Sequence, residues 1–153
     1  MIIEYHRPGN LDEALKLLIR TQPKTIPLGG GGSISQGLQE PAAVVDLQDL
    51  MLNKLEKNEN AYVLGATARL QSMVEWAGFP ENLRDILVKE FTLNTRNVAT
   101  LAGSLVKATS ISIFAGSLLA MDSKLTWEPG SIEIPLGDWL PLRGKWNKGK
   151  LMT

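Results

Sequence analysis

The chain has no cysteine and a single histidine, His6, in 153 residues. Without thiols it forms no disulfide, offers no thiolate nucleophile and ligates no iron–sulfur cluster by itself. One imidazole excludes a histidine-rich metal site. His6, in "YHRPGN" just ahead of a helix start, reads as a surface or capping residue rather than a catalytic one. Charge of one sign is also lacking: Lys+Arg and Asp+Glu both number 16. That balance argues against nucleic acid or an anionic membrane as partner. The longest apolar run, "IFAGSLLAM", is far shorter than the roughly 20 residues that span a bilayer. "MIIEYHRPGN" has no basic start followed by an apolar stretch, so the expectation is a soluble, cytoplasmic protein.

Hydrolytic and nucleotide-triphosphate signatures are missing too. "LAGSL" lacks the glycine that a nucleophile elbow needs two residues after Ser104. "GGGGSISQG" has no Gly-Lys-Ser/Thr ending, and Ile34 stands where G-x-G-x-x-G requires its last glycine. No residue reads as a catalytic acid, base or nucleophile.

What is present is a core-forming composition, 44% hydrophobic and 21% charged, and an unusual loop. "TIPLGGGGSIS" places Gly29, Gly30, Gly31 and Gly32 in succession. Glycine loses more backbone freedom on folding than any other residue, so four together imply a sharp bend or a very close approach. Around this loop, "MIIEY" predicts an edge strand. Asn10 with Glu13 predicts a capped helix over "LDEALKLLIR", with Leu11, Leu15, Leu18 and Ile19 on its buried face. "KTIPL" and "AAVVDL" predict two further strands, parallel to each other. The result is a small β-α-β-β unit.

"NKLEKNEN" (53–60) reads as a polar link to a second unit. Beyond it, "AYVLGATAR" predicts a strand, and "LQSMVEWAG" and "ENLRDILVKEF" two amphipathic helices, the second burying Leu83, Ile86, Leu87 and Phe91. "VATLAGSLV" reads as strand-like, "SISIFAGSLLAMD" as a helix, and "KLTWE" and "SIEIPL" as closing strands. The tail carries Arg143, Lys145, Lys148 and Lys150 without an acid and reads as a solvated end, with a contact point for an anionic surface as the alternative. The stop at "KLMT" suggests a fold continued elsewhere.

Consecutive glycines expose N–H groups that can converge on an anion such as a diphosphate, with Ser33 and Ser35 adding hydroxyls. A second small-residue stretch, "NTRNVATLAGSLV", groups Thr100, Ala102, Gly103 and Ser104. Two such loops suit one extended ligand gripped from both sides; a plain turn at the first and strand packing at the second remain alternatives.

Taken in order, these segments resemble the FAD-binding subunit of the molybdopterin dehydrogenase family, which includes the medium subunit of carbon monoxide dehydrogenase and the flavin domain of xanthine dehydrogenase. "IPLGGGGSI" looks like that family's Ala-Gly-Gly-Thr-Asp/Ser-Leu loop, with Gly30 and Gly31 as the glycine pair. "AAVVDL" and "YVLGATARL" resemble its valine-rich strand and its Ile-Gly-Ala-Thr-Thr-Leu stretch. "NTRNVATLAGSL" is similar to Ile-Arg-Asn-x-Ala-Thr-Ile-Gly-Gly-Asn-Leu, the most specific of these signatures, and "FAGSLLAMDSKL" to the helix that follows.

The resemblance implies an α+β fold of the PCMH type. It would comprise an N-terminal FAD-binding subdomain (1–54) and a central one (60–153), without the family's C-terminal third subdomain. It implies FAD held by Leu28, Gly29, Gly30, Gly31, Gly32, Ser33 and Ile34 from one side and Thr100, Leu101, Ala102, Gly103 and Ser104 from the other, with Arg96 and Asn97 bracing the second loop. Asp46 and Asp122 fall on family positions as turn or strand-end residues. It further implies electrons arriving from a [2Fe–2S] small subunit, fed by a molybdenum-cofactor large subunit, and leaving to NAD or another acceptor; a homo-oligomer is compatible. Two departures stand out. Ala102 replaces a glycine, and Ile113 falls where the family carries an aspartate that helps hold the nucleotide. Their alternative implication is a degenerate relative without cofactor, acting as a scaffold or interaction module.

Overall fold

In a computed structural model, residues 1–32, 34, 37–144 and 149–153 are described. The chain starts with strand β1 (Ile2–His6), helix α1 (Leu11–Leu18) and strands β2 (Thr25–Leu28) and β3 (Ala42–Asp46). The strands form a parallel sheet in the order β1-β3-β2, the β-α-β-β unit that the hydrophobic periodicity predicts. Strand β3 is central and all five of its residues are buried, which is why it reads as a continuous apolar run rather than an alternating one.

Helix α1 starts where Asn10 accepts from the Glu13 N–H at 3.0 Å while the Glu13 carboxylate accepts from the Gly9 N–H. Ala14 and Leu18 bury against Val45, Leu47 and Leu151. Ile19 departs from the expected face: it is the C-cap and stands 68% exposed. His6 closes β1, and its Nε2 lies 2.8 Å from a Glu4 carboxylate oxygen; helix capping belongs to Asn10.

The expected polar link carries structure instead. Leu55–Lys57 is strand β4, paired antiparallel with β5 (Tyr62–Leu64). Its exposed Glu56 and Lys57 account for the polar sequence. Helices α2 (Leu70–Glu75), α3 (Glu81–Glu90), α4 (Leu93–Val98), α5 (Leu101–Val106) and α6 (Ile113–Ala120) follow. Strands β6 (Lys124–Glu128) and β7 (Ile132–Pro135), helix α7 (Leu136–Trp139) and strand β8 (Leu151–Met152) complete the order. A large core joins Leu70 and Met73, Leu83 and Leu87, Leu105, Phe114 and Leu118 to Trp127 and Trp139. The two tryptophan rings pack at 5.6 Å between centroids.

Two expectations are corrected here. "VATLAGSLV" is not a strand: only Ala99 and Thr100 are extended, and Thr100 then caps helix α5 by accepting from the Gly103 N–H. A threonine suits a strand and a helix cap equally, so its side chain did not discriminate. Within the described residues, the tail and the two residues after it are held to the fold rather than free. Leu151 and Met152 are buried and pair with β6, and Arg143 donates to the carbonyls of Leu140 and Ala108 at 2.8 and 3.0 Å. Lys145 and Lys148 lie outside the described residues.

Candidate functional site

Strand β2 delivers Leu28 to the sheet edge, where it pairs with Asp46 and its carbonyl accepts from the Leu47 N–H at 3.1 Å. The chain then leaves the sheet through Gly29–Gly32 and turns back on itself, the Ile34 N–H reaching the Gly31 carbonyl at 3.0 Å. Gly31 has φ +80, a left-handed conformation that glycine adopts without strain. Gly30 serves a different need. A Cβ there would overlap the Val98 carbonyl oxygen, so the glycine loop is packed against the end of α4. At Gly29 an added Cβ would stand 3.1 Å from Thr100 Oγ1. The two small-residue segments identified in the sequence therefore touch.

Between them opens a cleft of about 1600 Å³. Leu28, Gly29–Gly32 and Ile34 line one side, and Thr100, Ala102, Gly103 and Ser104 the other. Ser33 and Ser35 lie outside the described residues. Leu101 belongs elsewhere: it is buried in the large core and is not part of the cleft wall.

The two sides differ in what their backbones offer. Among the described residues, nothing accepts a hydrogen bond from the N–H groups of Gly29, Gly30 or Gly31. On the opposite side every N–H from Leu101 to Ser104 is already used. Leu101 donates to Ala68 O and Ala102 to Ala66 O, both at 2.9 Å; Ser104 N donates to Thr100 O at 2.9 Å, and Gly103 N to Thr100 Oγ1 at 3.2 Å. Even the Ser104 hydroxyl donates to the Leu101 carbonyl at 2.7 Å. The second segment is thus a rigid wall, stitched to the Ala66–Ala68 stretch, and the first is the open donor array. The methyl of Ala102, where the family resemblance expects glycine, packs against the large core.

Bracing of the wall comes from arginines. Buried Arg96 donates from Nε to Gln71 Oε1 at 2.9 Å and from Nη1 to the Phe91 carbonyl at 2.6 Å. Arg69 donates to the Asn97 carbonyl. Asp46 ends β3 as a buried acceptor of the Tyr5 hydroxyl and the Gln48 N–H, and Asp122 sits in a turn at φ 52. Ile113 is 62% exposed and does not line the cleft. At that end Glu90 is the acid, accepting from Ser112 Oγ and the Phe114 N–H, both at 2.6 Å.

Asn94, Thr95, Val98, Thr67, Glu90 and Lys107 also line the cleft, and sequence reasoning did not single them out. Lys107 reaches across to donate from Nζ to the Gly32 carbonyl at 3.1 Å. Counting charge on the described lining, Arg20, Lys24, Lys107 and Lys150 face Glu40 and Glu90. The cleft thus favours an anion. No group of histidines or acids able to hold a metal, and no helix long and apolar enough to cross a membrane, occurs among the described residues.

This geometry suits an elongated ligand with an anionic middle: open N–H donors at a bend, a positive lining, and room for flat groups on either side. The FAD molecule has that shape. Comparisons with known proteins agree. The family model described as the FAD-binding domain in molybdopterin dehydrogenase matches residues 1–153. The protein named YgfM of Escherichia coli K12 is 28% identical over 132 residues, covering 85% of this chain and 51% of its own length. Among solved structures, the Cu,Mo-CO dehydrogenase in its cyanide-inactivated form superposes with TM-score 0.83 at 18% identity, over 100% of this chain and 58% of that one. Quinoline 2-oxidoreductase from Pseudomonas putida 86 does so at 0.83 and 19%, over 97% and 56%. Carbon monoxide dehydrogenase from Hydrogenophaga pseudoflava reaches 0.84 at 16%, over 99% and 57%. The chain spans little more than half the length of these relatives. With its whole described length matched and its mixed α and β architecture shared, the chain belongs to the FAD-binding domain family of the molybdopterin dehydrogenases.

Proposed function

We propose that this chain holds FAD in the cleft, with the diphosphate on the N–H groups of Gly29, Gly30 and Gly31, and carries electrons between partner centres. The observation behind this reading is the set of glycine N–H donors at Gly29, Gly30 and Gly31 that have no acceptor among the described residues, with Gly29 and Gly30 packed against Thr100 and Val98. Successive backbone N–H groups in a bend form a concavity for an anion, and the glycines themselves carry no side chain to screen them. Thr100, Ala102, Gly103 and Ser104 form the opposite wall of the cleft.

When bound, the isoalloxazine supplies reversible uptake of two electrons; the protein's part is to position it and set its surroundings. In this reading, electrons come from a [2Fe–2S] small subunit served by a molybdenum-cofactor large subunit, and pass to NAD or another acceptor. Support for such partners is the likeness to the Cu,Mo-CO dehydrogenase. No side chain on the cleft is assigned acid–base or nucleophilic work, consistent with a carrier.

The test is a titration of the purified chain with FAD, followed by flavin fluorescence, beside the Gly31→Val chain checked for folding by circular dichroism. Saturable binding in the parent and its loss in a folded Gly31→Val chain are expected. A folded parent chain that leaves FAD fluorescence unchanged up to high micromolar concentration overturns the reading and favours a scaffold without cofactor.

A further inference from the structure

Lys107 follows the last residue of α5 as its C-cap. A lysine at a helix C-terminus is favourable for the helix dipole alone, and that accounts for its presence. It does not account for where the side chain goes. Nζ crosses the cleft mouth to the Gly32 carbonyl, 75 positions away in sequence, at 3.1 Å.

Two of the other cations on the cleft differ. Arg20 meets Glu4 at 3.1 Å and Lys24 meets Glu40 at 3.8 Å. Lys107 has no carboxylate within ion-pair distance among the described residues. An ammonium carries three N–H donors and no acceptor, and one hydrogen bond occupies a single donor. The remaining two, with the full charge, have no acceptor among the described residues and belong to the cleft that Gly29–Gly31 also line.

We propose that Lys107 is the charge partner of the ligand's diphosphate, held in place in advance by the Gly32 carbonyl. The proposal rests on the cleft being the FAD site and adds the residue that recognises the anion by charge. The glycine N–H groups supply direction, whereas the ammonium supplies the neutralising charge. Anchoring to Gly32 restricts the long side chain before the ligand arrives, so less rotamer entropy is lost on binding. Because Lys107 is solvent-exposed, its contribution is screened by salt.

The experiment is calorimetric titration of the parent, Lys107→Met and Lys107→Arg chains with FAD, ADP and riboflavin, at low and high salt. Methionine keeps the apolar stem and removes the charge. Loss of one charge-assisted hydrogen bond predicts FAD and ADP binding weaker by about tenfold to a hundredfold in Lys107→Met. Riboflavin, which has no phosphate, is unaffected, Lys107→Arg retains most of the affinity, and the salt dependence flattens in Lys107→Met. Equal FAD affinity in parent and Lys107→Met overturns the proposal. So does riboflavin binding weakened as much as FAD binding, which makes the lysine a structural latch only. Lys107-dependent binding of ADP without binding of FAD keeps the proposal and overturns the FAD reading. Binding of neither overturns both.

Discussion

Gly30 lies directly against the main-chain carbonyl of Val98, leaving no space for a Cβ. This contact joins the loop after β2 to the end of α4, and so sets the distance between the two sides of the cleft. Gly32, two residues on, has no described atom within 4 Å of where its Cβ would be, and its φ lies outside the left-handed range. The two glycines are therefore predicted to respond differently to the same substitution. Gly30→Ala forces backbone apart and costs about 1–3 kcal/mol, the usual range for overpacking. FAD binding falls with it, since the donor array is displaced. Gly32→Ala stays within about 0.5 kcal/mol of the parent. Urea denaturation of the two variants beside the parent checks this; equal stabilities would mean the loop shifts freely and the Val98 contact constrains nothing.

Arg96 converts a helix end into support for the cleft. Its guanidinium joins α4 to the carbonyl of Phe91, just past α3, and to Gln71 on α2, and only 8% of it is exposed. Removing it leaves part-buried acceptors without donors, at up to about 1–3 kcal/mol for each unsatisfied group. Arg96→Leu is accordingly predicted to destabilise the chain by at least about 2 kcal/mol. Arg96→Lys recovers little, because one ammonium cannot reproduce the planar fork. Thermal and urea unfolding of both variants decide the point; full recovery by lysine would show that charge, and not the fork, is what the site needs.

These two residues mark the limit of what the sequence discloses. Helices α1 and α3 are legible because their apolar residues recur at the helical period, β3 because it is a short, continuous apolar run, and α6 only as an apolar stretch of helix length without periodicity. The glycine run is legible as a sharp bend and a close approach, which Gly31 and Gly30 turn out to make, and the family resemblance follows from the order of such segments. The Gly30–Val98 contact is not legible, because it depends on how α4 packs and not on any local pattern. Helix α5 was read as a strand since Val98, Thr100 and Val106 are β-branched, and only the extended Thr100 beside Arg69 belongs to a bridge. Strand β8 has two residues, too few to show any period. Nothing in the sequence distinguishes Lys107 from other lysines, because its partner, Gly32, is 75 positions away.

The Tyr5 hydroxyl donates to the buried Asp46 carboxylate across the first parallel pair of strands. That hydrogen bond favours the protonated phenol, and burial and the Asp46 charge add to it, so Tyr5 titrates above its ordinary value; Arg7 nearby opposes the shift. A group whose pKa is raised by folding adds stability that is complete below the unfolded value, about 10 for tyrosine. That stability is lost as pH rises through the folded value. The predicted loss thus falls on the alkaline side, above about pH 10, and leaves neutral pH untouched. The chain has two tyrosines, so a Tyr62→Phe background isolates Tyr5 in an ultraviolet phenolate titration. Its midpoint is expected above the free-tyrosine value and lowered by Asp46→Asn. In the same background, Tyr5→Phe removes the alkaline fall in stability that the pair contributes. A Tyr5 midpoint that ignores Asp46→Asn would show that the carboxylate does not hold the phenol proton, and that the strand pairing alone brings the two side chains together.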